Sequence, residues 1–379
     1  MKRFMIAPDS FKGTMPADEA ASVIQSAILT HIPDAQVKCL PMADGGEGMV
    51  EAYLRILGGE RKTAWVSGPF GGPMEAFYGL LADNTAVIEM AACAGLPLVE
   101  GRRDPLHATT KGVGELIRIA EQEGAARIVM GIGGSATNDC GIGMAAALGY
   151  RFLDENKNPV EPLACNMLDI RHIEKPDQLP AIPVMAACDV DNPLYGPSGA
   201  TYTFGRQKGA EGDTLALLEA GIQTMAEVIL RDLKADVANV PGAGAAGGLG
   251  AGLLAFLGAE LKPGIDLLLD TCGFDEMLQG CDIVLTGEGK IDWQSARGKV
   301  PVGIARRAKK ANVPCIALCG AIGDGAEAVY GQGITAIFSA VRGASDFDTI
   351  KKTCHEDLAI LADSVIRLLL AIGGQCKHN

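Results

Sequence analysis

Aromatic residues are scarce in this 379-residue chain, where phenylalanine, tryptophan and tyrosine together make up 5%. Proteins that hold single-stranded nucleic acids need stacking rings, so this scarcity argues against that class of partner. Positive charge is also in deficit, because 33 lysines and arginines face 46 acidic residues and leave a net charge of −13. That balance disfavours duplex nucleic acids and anionic membranes alike. We therefore expect a small-molecule partner, with neither nucleic acid nor a membrane.

Signals for export and for cysteine-bound metals are missing as well. Lys2 and Arg3 are followed by only a short apolar run before Pro8, which is not a secretory signal. The 11 cysteines are an odd number without paired metal spacing, which favours free thiols in a reducing cytoplasm. The uncharged segment 237–259 is long enough to span a bilayer, but its proline and seven glycines favour a packed element of a soluble protein.

Several catalytic motifs are absent too. The chain contains no G-x-x-x-x-G-K-[ST] phosphate loop, no H-R-D kinase loop, no H-E-x-x-H zinc motif and no G-x-S-x-G nucleophile turn. The run 242–247 matches the dinucleotide pattern G-x-G-x-x-G, but Pro241 and the lack of a preceding strand weaken the hypothesis of an NAD-dependent oxidoreductase. A close-packed helix start or a second phosphate-facing turn suits that run better.

Both ends of the chain alternate short apolar runs with amphipathic segments. Such alternation predicts a parallel sheet covered by helices, with ligands beyond the carboxyl ends of its strands. The predicted strands are 3–7, 37–41, 281–285, 313–319 and 334–339, and the predicted helices begin near residue 16 and span 300–310. The middle of the chain differs, with a hairpin pattern over 76–90, a strand at 184–187 and a helix over 213–233. We interpret it as a second domain inserted into the first.

The segment Gly131-Ile-Gly-Gly-Ser-Ala-Thr-Asn-Asp139 directly follows the apolar run 127–130. Backbone N–H groups crowd around an anion only where side chains are absent, so phosphate-binding turns are rich in glycine. The pattern favours anion binding over a tight structural turn, which needs one glycine rather than three in four residues. The candidate phosphate-binding residues are Gly131, Gly133, Gly134, Ser135, Thr137 and Asn138.

Carboxylates and a lysine follow the first two predicted strands. Asp9 and Lys12 come directly after the first strand, where they could hold a hydroxyl and a phosphoryl group; a solvated loop is the alternative. Asp44 and Glu47 lie among glycines at a predicted helix start. The alternative is that these carboxylates cap the helix, but the glycines favour the close approach of a ligand.

Two further clusters carry charge in the later part of the chain. Asp189 and Asp191 stand two residues apart after a strand, a spacing that suits either a shared Mg²⁺ ion or an Asx-turn before a proline. Lys208 and Lys290 lie on glycine-flanked loops and offer the positive charge that an acidic enzyme needs near phosphates. Both loops could also be plain surface; Lys290, with Asp292 close by, is the stronger candidate.

Taken together, eight segments resemble the type-1 glycerate kinase family, in order and at fitting separations from residue 1 to about 340. They are Ile6-Ala-Pro-Asp-Ser-Phe-Lys-Gly13, Ala43-Asp-Gly-Gly-Glu-Gly48, Ile88-Glu-Met-Ala-Ala92, Gly131-Ile-Gly-Gly-Ser-Ala-Thr-Asn-Asp139, Cys188-Asp-Val-Asp-Asn-Pro-Leu194, Phe204-Gly-Arg-Gln-Lys-Gly-Ala210, Pro241-Gly-Ala-Gly-Ala-Ala-Gly-Gly-Leu-Gly250 and Thr286-Gly-Glu-Gly-Lys-Ile-Asp292. Two departures are visible: Cys140 stands where glycine is common in the family, and Lys290 where arginine is usual. Lysine keeps the charge but loses bidentate phosphate geometry.

The resemblance implies ATP- and Mg²⁺-dependent phosphorylation of D-glycerate in the cytoplasm, at the 2-hydroxyl to give 2-phosphoglycerate or, alternatively, at the 3-hydroxyl. It implies a cleft between a flavodoxin-like domain, expected over 1–65 and 280–379, and an inserted α/β domain over 66–279. The family serves glycolate, glucarate or galactarate catabolism. A monomer and a homodimer are both compatible with it, and a non-catalytic sensor of sugar acids is the rival from another class.

With the resemblance in place, each candidate residue receives an expected role. Catalysis is expected of Lys12, Asp44, Lys290 and Asp292, with Asp292 or Asp44 accepting the proton of the attacking hydroxyl. Substrate binding is expected of Asp9, Ser10, Glu47 and Glu288. Nucleotide phosphates are expected on Gly131, Gly133, Gly134, Ser135, Thr137, Asn138, Lys208, Gly244 and Gly247, and Mg²⁺ on Asp189 and Asp191.

Overall fold

The computed structural model describes residues 2–42, 48–343 and 346–375. Its chain divides into two compact units, a terminal unit of Met1–Asp44 with Leu268–Asn379 and a middle unit of Gly45–Leu267. The strands in the described residues are β1 Arg3–Pro8, β2 Gln36–Cys39, β3 Gly59–Ser67, β4 Pro73–Leu81, β5 Thr85–Glu89, β6 Arg127–Gly131, β7 Arg151–Leu153, β8 His172–Glu174, β9 Val184–Ala187, β10 Glu260–Lys262, β11 Ile283–Gly287, β12 Lys290–Ile291, β13 Cys315–Cys319, β14 Ala321–Ile322 and β15 Ile334–Ser339. The α-helices there are α1 Ala17–His31, α2 Met49–Leu57, α3 Ala91–Ala94, α4 Lys111–Gln122, α5 Ile142–Ala147, α6 Ala200–Phe204, α7 Asp213–Leu233, α8 Ala245–Leu257, α9 Gly264–Thr271, α10 Phe274–Met277, α11 Val300–Lys310, α12 Ala328–Gly331 and α13 Phe347–Gln375.

The terminal unit is built on a five-stranded sheet in the order β15-β13-β11-β1-β2, and every neighbouring pair is parallel. Numbered within the unit, this order is 2-1-3-4-5, the flavodoxin-like arrangement. The predicted parallel α/β fold is therefore confirmed. Consecutive parallel strands need a crossover, which α1 supplies between β1 and β2 and α11 between β11 and β13.

The core of the terminal unit lies between this sheet and helices α1 and α13. Alternate strand residues such as Ile6 and Leu285 point towards the two helices, which contribute Ile24, Ile28 and Leu358. Each fully buried aliphatic side chain of this kind contributes roughly 1.5–3 kcal/mol through the area removed from water. Helix α11 packs against β11 and β13 through its own apolar face. The first turns of α13 lie beside the carboxyl ends of the strands.

The middle unit contains a mixed six-stranded sheet in the order β10-β9-β6-β5-β4-β3. Strands β3, β4 and β5 pair antiparallel, whereas β5, β6, β9 and β10 pair parallel. The predicted hairpin between β4 and β5 is present. A separate hydrophobic core, made of residues between Val66 and Ala259, fills this unit.

The observed units and the predicted domain boundaries do not coincide. The division falls after Asp44 and after Leu267, earlier in the chain than the expected limits at residues 65 and 279. Strand β3, which the sequence patterns did not indicate, pairs with β4 over nine residues and so belongs to the middle sheet. A limit at residue 65 would cut through it. Within the described residues, no helix combines the length and the apolar character required to cross a bilayer; the uncharged run 237–259 contains the 13-residue α8.

Candidate active site

A cavity of about 360 Å³ lies in the terminal unit at the carboxyl ends of β1, β11, β13 and β15. The strand order changes direction at β1. Strand β2 lies on one side of β1, and the later strands β11, β13 and β15 lie on the other side. In open α/β sheets, the carboxyl ends of strands beside such a reversal form the usual ligand site. The predicted site residues around this cavity are Asp9, Ser10, Lys12, Glu288 and Lys290.

Asp9 and Lys12 reach the cavity from the loop after β1. The backbone N–H of Asp9 donates to the carbonyl of Gly287 at 2.8 Å, which ties this loop to the end of β11. The Oδ1 atom of Asp9 accepts the N–H of Ser10 at 2.6 Å. Asp9 is 5% exposed, so its carboxylate is held inside the protein rather than on a solvated loop.

Glu288 follows β11 and lines the cavity with a buried carboxylate. Its Oε1 atom accepts the hydroxyl of Ser295 at 2.5 Å, and its Oε2 atom lies 3.6 Å from the ammonium of Lys299. Burial raises the pKa of Glu288 above its ordinary value, and Ser295 and Lys299 only partly oppose that shift. Lys299 also lines the cavity, although the sequence patterns did not single it out. Its position directly before a helix, where a cation opposes the helix dipole, was the available signal.

Lys290 and Asp292 form an ion pair of 3.2 Å beside the cavity. Burial opposes ionisation of Asp292, but hydrogen bonds from Lys290 and from the N–H of Gln294 outweigh it and hold its pKa below the ordinary value. Asp292 and Glu288 therefore differ in proton affinity although they are four residues apart. The ion pair with Lys290 favours the charged form of Asp292.

The opposite wall of the cavity comes from the first turns of α13. It is largely apolar, with Phe347, Ile350, Cys354 and Leu358 facing the space. One carboxylate, that of Asp357, is set into this wall; its Oδ1 lies 2.5 Å from Nε of Arg342 and its Oδ2 accepts the hydroxyl of Thr353 at 2.7 Å. No motif marks this amphipathic helix, so sequence reasoning missed the wall entirely.

The glycine turn of the middle unit follows β6 as predicted. Gly133 and Gly134 are exposed, and Gly134 has the left-handed φ of 71° that favours glycine. The carbonyl of Gly134 accepts the N–H of Leu96 at 2.8 Å, and Ser135 pairs with Gly95. The exposed backbone of two glycines is compatible with a bound anion. The phosphate role of Gly131, Gly133, Gly134 and Ser135 stays a prediction.

The residues after this turn are buried rather than presented to a ligand. Thr137 and Asn138 are fully buried, and Nδ2 of Asn138 donates to Thr201 at 3.2 Å. Lys208 is 1% exposed and donates from Nζ to the carbonyl of Thr137 at 2.7 Å. Burial lowers the pKa of Lys208 to about 7. Burial sets these three side chains apart from the exposed glycines of the turn, and their contact with nucleotide phosphates stays a prediction.

Gly244 and Gly247 serve close packing of the backbone. A Cβ atom on Gly247 would lie 2.0 Å from the carbonyl oxygen of Thr137, and one on Gly244 would lie 2.2 Å from that of Pro193. Gly247 also adopts a left-handed φ of 69°. This packing agrees with the close-packed helix start that was the alternative for this run, and the contact of both glycines with nucleotide phosphates stays a prediction.

Asp189 and Asp191 are exposed after β9. The Oδ1 atom of Asp189 accepts the N–H of Gly264 at 2.9 Å and so caps the start of α9. The described residues hold no group of three or more histidine, cysteine, aspartate or glutamate side chains placed to bind a metal. Mg²⁺ needs only one or two carboxylates where substrate phosphates complete its shell, and two exposed carboxylates are oxygen donors of the kind it takes. The Mg²⁺ role of Asp189 and Asp191 stays a prediction.

The family model described as "Glycerate kinase family" matches residues 4–370. The chain belongs to the glycerate kinase family. A glycerate kinase of Halalkalibacterium halodurans is 47% identical over 90% of this chain and 91% of its own length. A glycerate 2-kinase of Escherichia coli is 43% identical over 98% of both chains. A crystal structure of a protein assigned as glycerate kinase 2 from Salmonella typhimurium LT2 superposes with a TM-score of 0.87 at 40% identity, covering 99% of each chain.

Cys140 stands where glycine is common in the glycerate kinase family, and the backbone conformation there explains the preference for glycine. Cys140 adopts a left-handed φ of 53°, and its N–H donates to the carbonyl of Gly247 at 3.1 Å. Glycine reaches this conformation without steric cost, which explains why it suits the position. Two further predicted site residues of the kinase, Asp44 and Glu47, lie outside the described residues.

Proposed function

We propose that this protein transfers the γ-phosphoryl group of ATP to D-glycerate, at the 2-hydroxyl, to give 2-phosphoglycerate and ADP. The observation that carries the proposal is the grouping of three lysines and three buried carboxylates around one cavity at the carboxyl edge of a flavodoxin-like sheet. Phosphoryl transfer needs positioning and neutralisation of charge, with little covalent work by the protein. The relative named glycerate 2-kinase supports the 2-hydroxyl as the acceptor.

The lysines bind charged groups of the substrates, and Asp9 binds a hydroxyl. Lys12 and Lys290 supply positive charge for the glycerate carboxylate and the transferring phosphoryl group, as electrostatic stabilisation of this reaction requires. Asp9, fixed by its bonds to Gly287 and Ser10, orients a substrate hydroxyl. Ser10 completes the polar side of the cavity.

We propose Glu288 as the group that accepts the proton of the attacking hydroxyl. A general base works best when its pKa approaches the working pH, and burial moves Glu288 in that direction. Asp292 and Asp44 remain the alternatives from the sequence. The pairing of Asp292 with Lys290 lowers its basicity, and Asp44 lies outside the described residues. Lys299, 3.6 Å from Glu288, steadies the carboxylate before it receives the proton.

Mg²⁺ is proposed as the cofactor, with Asp189 and Asp191 as its protein ligands. When bound, the ion neutralises charge on the nucleotide phosphates. We also propose that the glycine turn of Gly131–Ser135 contacts a phosphate group. The two compact units are proposed to be the two domains of the kinase, and the cytoplasm its location, in keeping with its free cysteines among the described residues.

The experiment is an assay with D-glycerate, ATP and Mg²⁺ whose product is identified by ³¹P NMR. A 2-phosphoglycerate signal is the expected result. A 3-phosphoglycerate signal would keep the kinase and move the acceptor to the other hydroxyl. Binding of sugar acids without any phosphorylated product, with L-glycerate also inert, would identify a sensor in place of an enzyme.

A further inference from the structure

The cavity of the terminal unit has two chemically different sides. The loops after β1 and β11 give it Lys12, Glu288 and Lys290. Helix α13 gives it an apolar side of Phe347, Ile350, Cys354 and Leu358, hereafter the α13 wall. The volume of about 360 Å³ falls at the lower end of the ~300–1,000 Å³ that small-molecule sites occupy.

Glycerate accounts for only one of these sides. All three of its carbons carry oxygen, so the molecule has no apolar surface to place against the α13 wall. Polar groups buried beside apolar side chains lose their hydrogen bonds to water without replacement. A second ligand portion, flat and apolar on its faces, is needed to cover this wall.

We propose that the α13 wall binds the purine base of the nucleoside triphosphate that donates the phosphoryl group. A nucleotide carries an apolar ring at one end and phosphates at the other, and the cavity offers matching surfaces on its two sides. Phe347 provides a ring on which the base can stack, and Leu358 and Ile350 provide aliphatic contact. This inference rests on the proposed kinase function only for the identity of the nucleotide.

Asp357 adds a polar contact for the edge of the base. It is 6% exposed; its Oδ2 atom accepts one hydrogen bond, from Thr353, and its Oδ1 atom forms an ion pair with Arg342 without accepting a hydrogen bond from any described residue. A carboxylate oxygen has a further lone pair, so Asp357 can accept the exocyclic amino group of adenine. A carboxylate at this place would disfavour a base that presents a carbonyl oxygen at the same edge.

The test fills or trims the α13 wall without changing any charge. Cys354→Phe places a ring in the space proposed for the base, and Cys354→Ala is its control. Phe347→Ser removes the stacking ring; Phe347 is 58% exposed, so this change leaves the core intact. Tyr330→Ser, at an aromatic residue 48% exposed and away from the cavity, is its control. The affinity for ADP is measured by calorimetry, and KM is measured separately for ATP and for glycerate.

We expect Cys354→Phe and Phe347→Ser to weaken ADP binding about tenfold, the scale of one lost base–aromatic contact, with KM for glycerate unchanged. The two controls should bind ADP as the wild type does. Unchanged ADP affinity in both folded variants would overturn the proposal, and so would a rise in KM for glycerate alone. Weakened ADP binding in an enzyme that does not phosphorylate glycerate would uphold the base site and reject the proposed acceptor.

Discussion

Two glycines with nearly the same backbone conformation show how one residue depends on its neighbours. Gly247 has φ 69° and Gly258 has φ 63°, but a Cβ atom on Gly247 would meet the carbonyl of Thr137 at 2.0 Å, whereas nothing lies within 4 Å of one on Gly258. Both would accept alanine only with left-handed strain. The two positions differ in the free space around an added Cβ atom.

We expect Gly258→Ala to cost about 1 kcal/mol of unfolding free energy, the price of left-handed strain alone. Gly247→Ala should cost more than about 3 kcal/mol, because the backbone of the 137–140 segment must move as well. Urea denaturation of the ligand-free protein measures both. Equal losses would contradict the packing explanation of Gly247 and favour its predicted role at a nucleotide phosphate.

Burial raises the pKa of the Glu288 carboxyl and so makes its carboxylate a stronger base. We expect Glu288→Gln to lower kcat by about 10²–10⁴-fold, the usual range for a lost general base, and Asp292→Asn to lower it less. As the pH is lowered, the rate of the wild-type enzyme should begin to fall at a pH above the ordinary pKa of glutamate, because burial raises the pKa of Glu288. Full activity of Glu288→Gln beside an inactive Asp292→Asn would return the base to Asp292.

The same raised pKa has a consequence for stability. The folded state favours the protonated form of Glu288, so its contribution is fully present below the ordinary pKa of glutamate and is lost as the pH rises through the raised value. The thermal stability of the wild type, relative to that of Glu288→Gln, should therefore fall between acidic and neutral pH. Melting temperatures of the two proteins across that range provide the measurement.

At the scale of elements, one buried carboxylate joins the starts of two helices. Asp139 accepts the N–H and hydroxyl of Thr110 at the start of α4, both at 2.8 Å. It also accepts the N–H groups of Gly141 and Gly143 at the start of α5, at 3.1 and 3.3 Å. Asp139 is therefore a structural member of the predicted motif, because its oxygens satisfy helix ends that would otherwise lack partners.

We expect Asp139→Asn to cost roughly 2–4 kcal/mol, since an amide nitrogen would face backbone donors inside the protein. Asp154 offers a matched control, because it also accepts several bonds, from Asn156 and Asn158, but lies on an exposed turn. Asp154→Asn should cost about 0.5 kcal/mol or less. Equal effects in urea denaturation would mean that burial does not govern the contribution of Asp139.

The elements that the sequence predicted well have a clear local pattern. Helices α7 and α11 and strands β9 and β15 have the predicted limits, because their apolar periodicity begins and ends sharply. Helix α13 and strand β3 were missed. The periodicity of α13 is diluted by exposed apolar residues such as Leu368 and Ile372, and the outer face of β3 is charged at its start. An element whose exposed face carries apolar residues, or whose apolar face begins with charges, gives a weaker pattern than one with sharp periodicity.

At the scale of the whole molecule, each unit has a hydrophobic core of its own. We expect hydrogen exchange in increasing urea to show different midpoints for peptides of the terminal unit and of the middle unit. ADP at 100 times its Kd should raise the unfolding free energy of the terminal unit by about 2.7 kcal/mol, and with it the urea midpoint of the terminal-unit peptides, because binding stabilises the unit that contains the base site. A single transition shared by all peptides would show that the units unfold together.

The sequence by itself determined the α/β class, the glycine turn after β6 and the placement of Asp9, Lys12, Glu288 and Lys290 after two strands. These features depend on local periodicity and on the rule that parallel strands expose their carboxyl ends at one edge. That the ends of β1 and β11 are neighbours follows from the sheet order, although almost 280 residues separate them, as in the bond from Thr286 to Ala7.

Only the tertiary structure decided which charged residues are available to a ligand. Lys208 was a plausible phosphate ligand in the sequence, but it is buried against Thr137, 71 residues away. Asp357 and the α13 wall had no motif, yet folding brings them to the cavity. Burial and pKa depend on contacts between distant parts of the chain, and no local pattern of residues encodes those contacts.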